Sequence, residues 1–455
     1  MKNVLFLSFL LLNPYSILSA SNSYDYSSYS ATSVNSNLSG QTITNSASGE
    51  SAVYITKSGI TISSTSITKS GDIASGSTED SEFYGVNAAV LVNGGGLKMT
   101  GGTISTSTKG ANALVATNSG SVTISGTTII STESASARGL HATFGGTITA
   151  SNVEISSTGG SCATLATDRG EGTVSCTECT LSTAGAGSPL IYSTGDITVS
   201  KTTGTASAAQ AVVVEGKNSA TIQDSSNLKC TASPNNKNDE CGVLIYQSQS
   251  GDADSGTSTF TCDSSTIEIL STSSYYSSAP MFFVTNTDAN IKLSDCTFTY
   301  GSGTFLKVDE GAWGTSGSSG GTVSLTLTNQ DIEGDIVVGS TSSLTLTLVN
   351  SSIKGTINSA KSAAKLAIDL DSDSSITLTG NSYYTSLTNA DSDGSNIEKG
   401  SYTFSAYDES ESSSSTTKTT SNNDDEDISP INVDYSSYLK CSLQMLIFSM
   451  FLILI

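Results

Sequence analysis

The residues of this chain that are suited to chemistry fall into a few short groups. Asn286-Thr287-Asp288 sets an amide, a hydroxyl and a carboxylate side by side. Asp369, Asp371 and Asp373 alternate, which on a strand aims carboxylates at one face and suits a weak calcium site. Gly251-Asp252-Ala253-Asp254 is a second acidic group. His141 is the only histidine, and Arg138 and Arg169 are the only arginines. Cys176-Thr177-Glu178-Cys179 has the spacing of half a metal site, but no second pair of suitable spacing follows. General acid–base catalysis needs two positioned groups, and glycoside cleavage needs two carboxylates at a defined separation. One triplet supplies neither. Asn286-Thr287-Asp288 is therefore read as a turn, the acidic groups as solvated turn residues, and His141 as satisfied within its own strand. No catalytic residue, metal ligand or cofactor is expected.

Composition narrows the classes further. Lys and Arg number 19 against 41 Asp and Glu, a net charge of −22 that repels phosphate backbones and argues against nucleic-acid partners. Only 13 % of residues are charged and only 5 are Pro, while about a third are Ser or Thr. Stepping outward to the ends, residues 1–20 read as a secretory signal: Lys2, then an apolar run from Val4 to Leu12, then small residues around Ala20. Residues 21–34 read as a polar spacer. Residues 406–438 form a Ser/Thr/acidic stalk with too little apolar surface to fold. Residues 439–455 form a short apolar tail, Leu443 to Ile455, that no basic residue follows. A tail of that length after a polar spacer reads as a GPI-attachment signal, with Asn432 and Ser436 as attachment candidates; a short membrane-spanning anchor and a core strand are the alternatives. The expected location is the extracellular face of the plasma membrane, with the C-terminus as anchor.

The body, residues 35–405, carries the elements that must position everything else. Short apolar/Ser-Thr alternations such as Val122-Thr123-Ile124, Thr147-Ile148-Thr149 and Leu325-Thr326-Leu327 predict half-buried strands. They recur: Val90 to Leu114 is 24 positions, Leu114 to Leu140 is 26, Ala142 to Ala166 is 24, and Ile332 to Ile353 is 21. Three strands and three turns per unit of 21–26 residues predict an all-β, right-handed parallel β-helix of roughly 15 coils, stacked about 4.8 Å apart. Val90, Leu114, Ile124, Ile148 and Val153 are expected to point inward, with Ser and Thr outward. A propeller is the alternative fold, but its unit is longer.

This pattern resembles the pectate-lyase-like β-helix superfamily over nearly the whole body, and within it the repetitive adhesin-like and autotransporter-passenger surface proteins. Gly101-Gly102-Thr103-Ile104-Ser105 and Ser121-Val122-Thr123-Ile124-Ser125 carry the likeness. In the superfamily's pectin-hydrolysing members the resemblance implies Asn-Thr-Asp, an Asp pair, Gly-His-Gly and Arg-Ile-Lys in that order. Here only Asn286-Thr287-Asp288 matches, His141 stands in Leu-His-Ala, and no membrane β-barrel pattern closes the chain.

Eight cysteines in a secreted chain point to disulfides. Cys230 and Cys241 bracket a polar insertion and are expected to bond to each other, while Cys262 and Cys296 occupy similar strand positions. Asn37 and Asn350 head the N-glycosylation sequons. The functional expectation is a non-enzymatic structural or adhesive surface rod that meets an unidentified glycan or protein ligand. A carbohydrate-active β-helix enzyme is the alternative, and a Thr-rich flat binding face is a third reading. That last reading would need Thr-x-Thr on every coil, and the motif is only local here.

Overall fold

A computed structural model describes residues 24–31, 33–73, 78–126, 128–131, 134–235 and 239–408. Its strands pair in parallel throughout, and the described body is a right-handed parallel β-helix. Most coils give one strand to an eleven-stranded sheet and then two strands, on either side of a bend, to a twenty-two-stranded sheet, while Ser382–Tyr384 and Phe404–Ala406 pair in a two-stranded sheet of their own. Toward the C-terminal end the third strands separate into a sheet of their own: Asp331–Glu333, Ser352–Gly355, Ser375–Leu378 and Ile397–Glu398.

Alternation in sequence becomes stacking in space. Along one inward row Met99, Ile124, Ala150, Cys176, Val199 and Ile222 sit over one another in register. The row continues through Cys262, Leu293, Leu327, Leu348 and Leu370, all at most 3 % exposed. Burying each Leu, Ile or Val stabilises by about 1.5–3 kcal/mol, and each coil obtains that burial only from its neighbours. Val90, Leu114, Ile124, Ile148 and Val153 all lie in this core. The adjacent outward row reads Thr61, Lys98, Thr123, Thr149, Ser175, Thr198, Thr221, Thr261, Lys292, Thr326 and Thr347.

Two departures from the expected pattern have clear causes. The spacing of 24 from Ala142 to Ala166 is one short, since the strands pair Leu140 with Leu165 and Ala142 with Thr167, 25 positions apart. Leu140–Ala142 is buried at every position, so it carries no polar alternation to fix register. Some coils also exceed 26 residues. Val53 pairs with Val90, Val212 with Val243, and Val243 with Phe282, spacings of 37, 31 and 39. The extra residues leave at the corners, one insertion forming the helix Glu79–Tyr84.

In several coils the bend is polar inside. One residue there takes a left-handed backbone, as at Glu178, Lys201, Ser264, Asn329 and Asn350. The next side chain turns inward. The hydroxyl or amide oxygen of one coil then accepts from the bend N–H of the preceding coil. Cys179 N donates to Thr202 Oγ1 at 3.3 Å, Thr202 N to Ser226 Oγ at 3.1 Å, and Ser226 N to Ser265 Oγ at 3.1 Å. After Cys296 the series resumes, with Cys296 N to Gln330 Oε1 at 2.9 Å, Gln330 N to Ser351 Oγ at 3.0 Å and Ser351 N to Ser374 Oγ at 3.1 Å. These oxygens satisfy buried N–H groups that the bend removes from the strand ladder.

Residues 24–31 are not a spacer apart from the body. Tyr29 donates toward or accepts from Ser51 Oγ at 2.8 Å, and Ala31 is buried with Tyr54, Ala88 and Leu91. Aromatic area on Tyr26 and Tyr29 drives this end onto the first coils. The 1–20 segment, most of the stalk, the apolar tail, Asn432, Ser436 and Cys441 lie outside the described residues.

Candidate ligand-binding site

Inserted segments gather over the outer face of the eleven-stranded sheet. The helix Glu79–Tyr84 lays Phe83 under Arg169, whose guanidinium carbon is 3.7 Å from the ring centroid. Its Tyr84 stacks on Phe144 at 5.6 Å. The 309–320 segment brings the only tryptophan of the chain, Trp313, to 5.6 Å from Tyr246. Between these segments lies a cavity of about 210 Å³, lined among others by Glu82, Arg138, Tyr192, Asp239, Tyr246 and Trp313.

Several ionisable groups are buried beneath it. Arg138 Nη2 meets Asp168 Oδ2 at 3.3 Å, with side chains 10 % and 2 % exposed. Burial outweighs the attraction of Arg138 and raises the Asp168 carboxyl to about 7. His141 stands one strand position from Leu140 on the outer side, fully buried, and burial with Arg138 nearby holds its pKa well below the ordinary value. Neither imidazole nitrogen has a partner among the described residues. It is not satisfied within its strand as expected. Glu215, also fully buried, accepts from Tyr192 Oη at 2.6 Å, from Tyr246 Oη at 2.7 Å and from Ser248 Oγ. Burial, with Glu215 beside them, pushes both phenols well above their ordinary value. The two tyrosines are thus clamped, which fixes the wall they present to the cavity.

Of the residues singled out in the sequence, Arg138 lines the cavity and His141 lies beneath it, while the others lie elsewhere. Asn286 takes the left-handed bend and its Nδ2 donates to Gln247 O at 2.7 Å, while Thr287 and Asp288 begin the strand Thr287–Ser294. Asp252 pairs with Arg169 at 3.3 Å, and Asp254 with Lys217 at 3.1 Å, so these acids are held by cations and not merely solvated. Asp371 accepts from Ser374 Oγ at 2.6 Å and from the Asn350 N–H, and these bonds lower its pKa. Asn37 and Asn350 are both exposed.

The cysteine expectation is corrected. Cys230 and Cys241 are separate thiols. Cys230 lies in the inward core and Cys241 in the outer cluster with Val213, Leu244, Tyr246 and Phe283, on opposite faces of the sheet wall. Burial raises the Cys230 thiol to about 12. The bonds formed are Cys176–Cys179, across one bend, and Cys262–Cys296, between strand and bend. A disulfide therefore occupies what would otherwise be a metal half-site.

Missed by the sequence were Glu82, Tyr192, Glu215, Asp239, Tyr246 and Trp313. The available signal was a lone Trp in Gly311–Gly321, a segment too long and Gly-rich for a bend. No protein-family model matches the chain, and comparison with curated proteins and with solved structures finds no match.

Proposed function

We propose that this chain is a non-enzymatic surface protein of the pectate-lyase-like β-helix kind, secreted, held by its C-terminus at the membrane, and presenting one recognition cavity to a glycan or protein ligand. The observation that carries the reading is the division of labour around the coil: a polar outward row on the twenty-two-stranded sheet, and a cavity walled by aromatic and ionisable side chains on the eleven-stranded one. Asp252, Asp254 and Asp371, the acids singled out in the sequence, are engaged by Arg169, Lys217 or a bend N–H group, which supports binding over turnover. Phospholipase treatment of intact cells should release the body. Retention of the protein with Met445–Ile455 still attached would show a spanning tail, and recovery of all of it from the culture medium would sink the anchored reading.

One observation favours a second reading, a carbohydrate-active enzyme. Glu82 and Asp239 both line the cavity beside Arg138, as two carboxylates flanking a sugar would. Purified protein should leave pectin, polygalacturonate, chitin and cellulose intact, with and without calcium. Product that disappears in both Glu82→Gln and Asp239→Asn would establish the enzyme.

A further inference from the structure

We infer that the cavity over the eleven-stranded sheet binds one uncharged pyranose unit, such as the terminal sugar of a glycan. The inference rests on the reading of this cavity as the recognition site. Size comes first. A dry cavity of about 150 Å³ holds benzene, so 210 Å³ admits one six-membered ring with its hydroxyls and not a run of them. Surface chemistry comes second. Trp313 and Tyr246 lie 5.6 Å apart at 40°, an aromatic corner against which the C–H face of a sugar packs.

Hydrogen bonding decides the class. Arg138 is 8 % exposed, and its Nη1 has no acceptor among the described residues, although Nη2 is met by Asp168. Trp313 Nε1 is likewise buried without a partner. Two unpartnered donors on residues that line one cavity call for ligand oxygens, because a buried donor left unmade costs about 1–3 kcal/mol. Glu82 on the same wall supplies an acceptor. Hydroxyl groups both accept and donate, so a polyol ring answers both kinds of wall. An anionic ligand meets Glu82 and Asp239 in the lining, Glu215 behind Tyr192 and Tyr246, and an Arg138 whose Nη2 is already met by Asp168. A cationic ligand leaves Arg138 Nη1 and Trp313 Nε1 without acceptors.

Trp313, being the only tryptophan, reports the site directly. The full-length secreted protein is titrated with methyl glycosides of glucose, galactose, mannose and N-acetylglucosamine, with galacturonate and choline as charged probes. A saturable change in Trp fluorescence is expected for at least one neutral glycoside, with binding at least tenfold weaker for both charged probes. Trp313→Phe keeps the aromatic surface and removes the donor, and ligand-observed NMR should show about tenfold weaker binding. Thr326→Ala, on the other sheet, should bind as the wild type does. Silence toward every neutral glycoside, equal or tighter binding of galacturonate or choline, or unchanged affinity in Trp313→Phe would overturn the inference. Binding without surface anchorage would overturn the surface reading and leave this one standing. Anchorage without binding would do the reverse.

Discussion

Along the eleven-stranded sheet the outward row reads Tyr54, Leu91, Val115, His141, Ala166, Tyr192, Val213, Leu244 and Phe283. Along the twenty-two-stranded sheet the corresponding positions are mostly Thr. Both rows belong to the same coils and face away from the same core. The first is covered by inserted segments and has become a second, outer packing layer with buried ionisable groups. The second stays bare, and short polar side chains keep it soluble. What separates them is where the coil lengthens. The coil length is constrained by stacking, but a corner can take extra residues freely because loop-closure entropy grows only slowly with length. The cavity and the buried ionisable groups accumulate on the side that those insertions cover.

The largest test of this contrast compares outward residues of the two sheets. Phe283→Ala should lower stability by about 3–5 kcal/mol, as a core truncation does, because Phe283 is only 1 % exposed although it faces outward. Thr261→Ala should stay within about 0.5 kcal/mol of wild type. Denaturant midpoints of the two variants, if equal, would erase the distinction between the sheets.

Proton linkage sharpens it next. The folded pKa of Asp168 is about 7, above its ordinary 3.8. The folded protein then holds the extra proton between these values, so this group makes stability fall as pH rises from about 4 to about 7. His141 has the opposite sign. Its folded pKa lies well below 6.5, the unfolded chain takes the proton, and stability falls as pH drops below about 6.5. The two slopes oppose each other in the wild type. His141→Leu should expose the Asp168 slope, on the order of 3 kcal/mol between pH 4 and 7. Asp168→Asn should expose the His141 slope, with stability increasing from pH 4 to 6.5. Flat profiles in both variants would show that neither group is buried as described.

A smaller effect belongs to the bends, which underlie both sheets. Thr202→Val removes the acceptor of the Cys179 N–H and should cost about 1–3 kcal/mol. The smallest is at the edge of the covered face. Arg169→Gln loses the contact with the Phe83 ring and the Asp252 pair, for about 1 kcal/mol. A larger loss there would mean that the helix Glu79–Tyr84 detaches with it.

The fold was legible because stacking demands repetition: Ile332 does pair with Ile353, and Val90 with Leu114, as their spacing predicts. The register slip at Ala142 arose where burial on both sides of the strand erased alternation. Polar residues were assigned outward as a class, which hid Thr202, Ser226 and Ser351, each at most 3 % exposed at a bend. The cavity was illegible for a different reason. Glu82, Arg138, Asp239 and Trp313 come from segments far apart in sequence, with no shared period, and only the stacking of their coils brings them together. The disulfides were misassigned because closeness along the chain says nothing about which side of a sheet wall each thiol occupies.

Six bend hydrogen bonds set a backbone N–H of the earlier coil against a side-chain oxygen of the later one, while Gln330 Nε2 returns a bond to Cys296 O at 2.6 Å. A chain threaded through a membrane pore from its N-terminus would therefore always hold one unfinished rung at its trailing end, completed only when the following coil arrives. Assembly acquires a direction, each arriving turn locking its predecessor much as a pawl holds a ratchet wheel. At Asn396, as at Gln330, the side-chain amide donates back to the preceding coil, its Nδ2 reaching Ser374 O at 2.9 Å, and the sequence of locks closes on that bond.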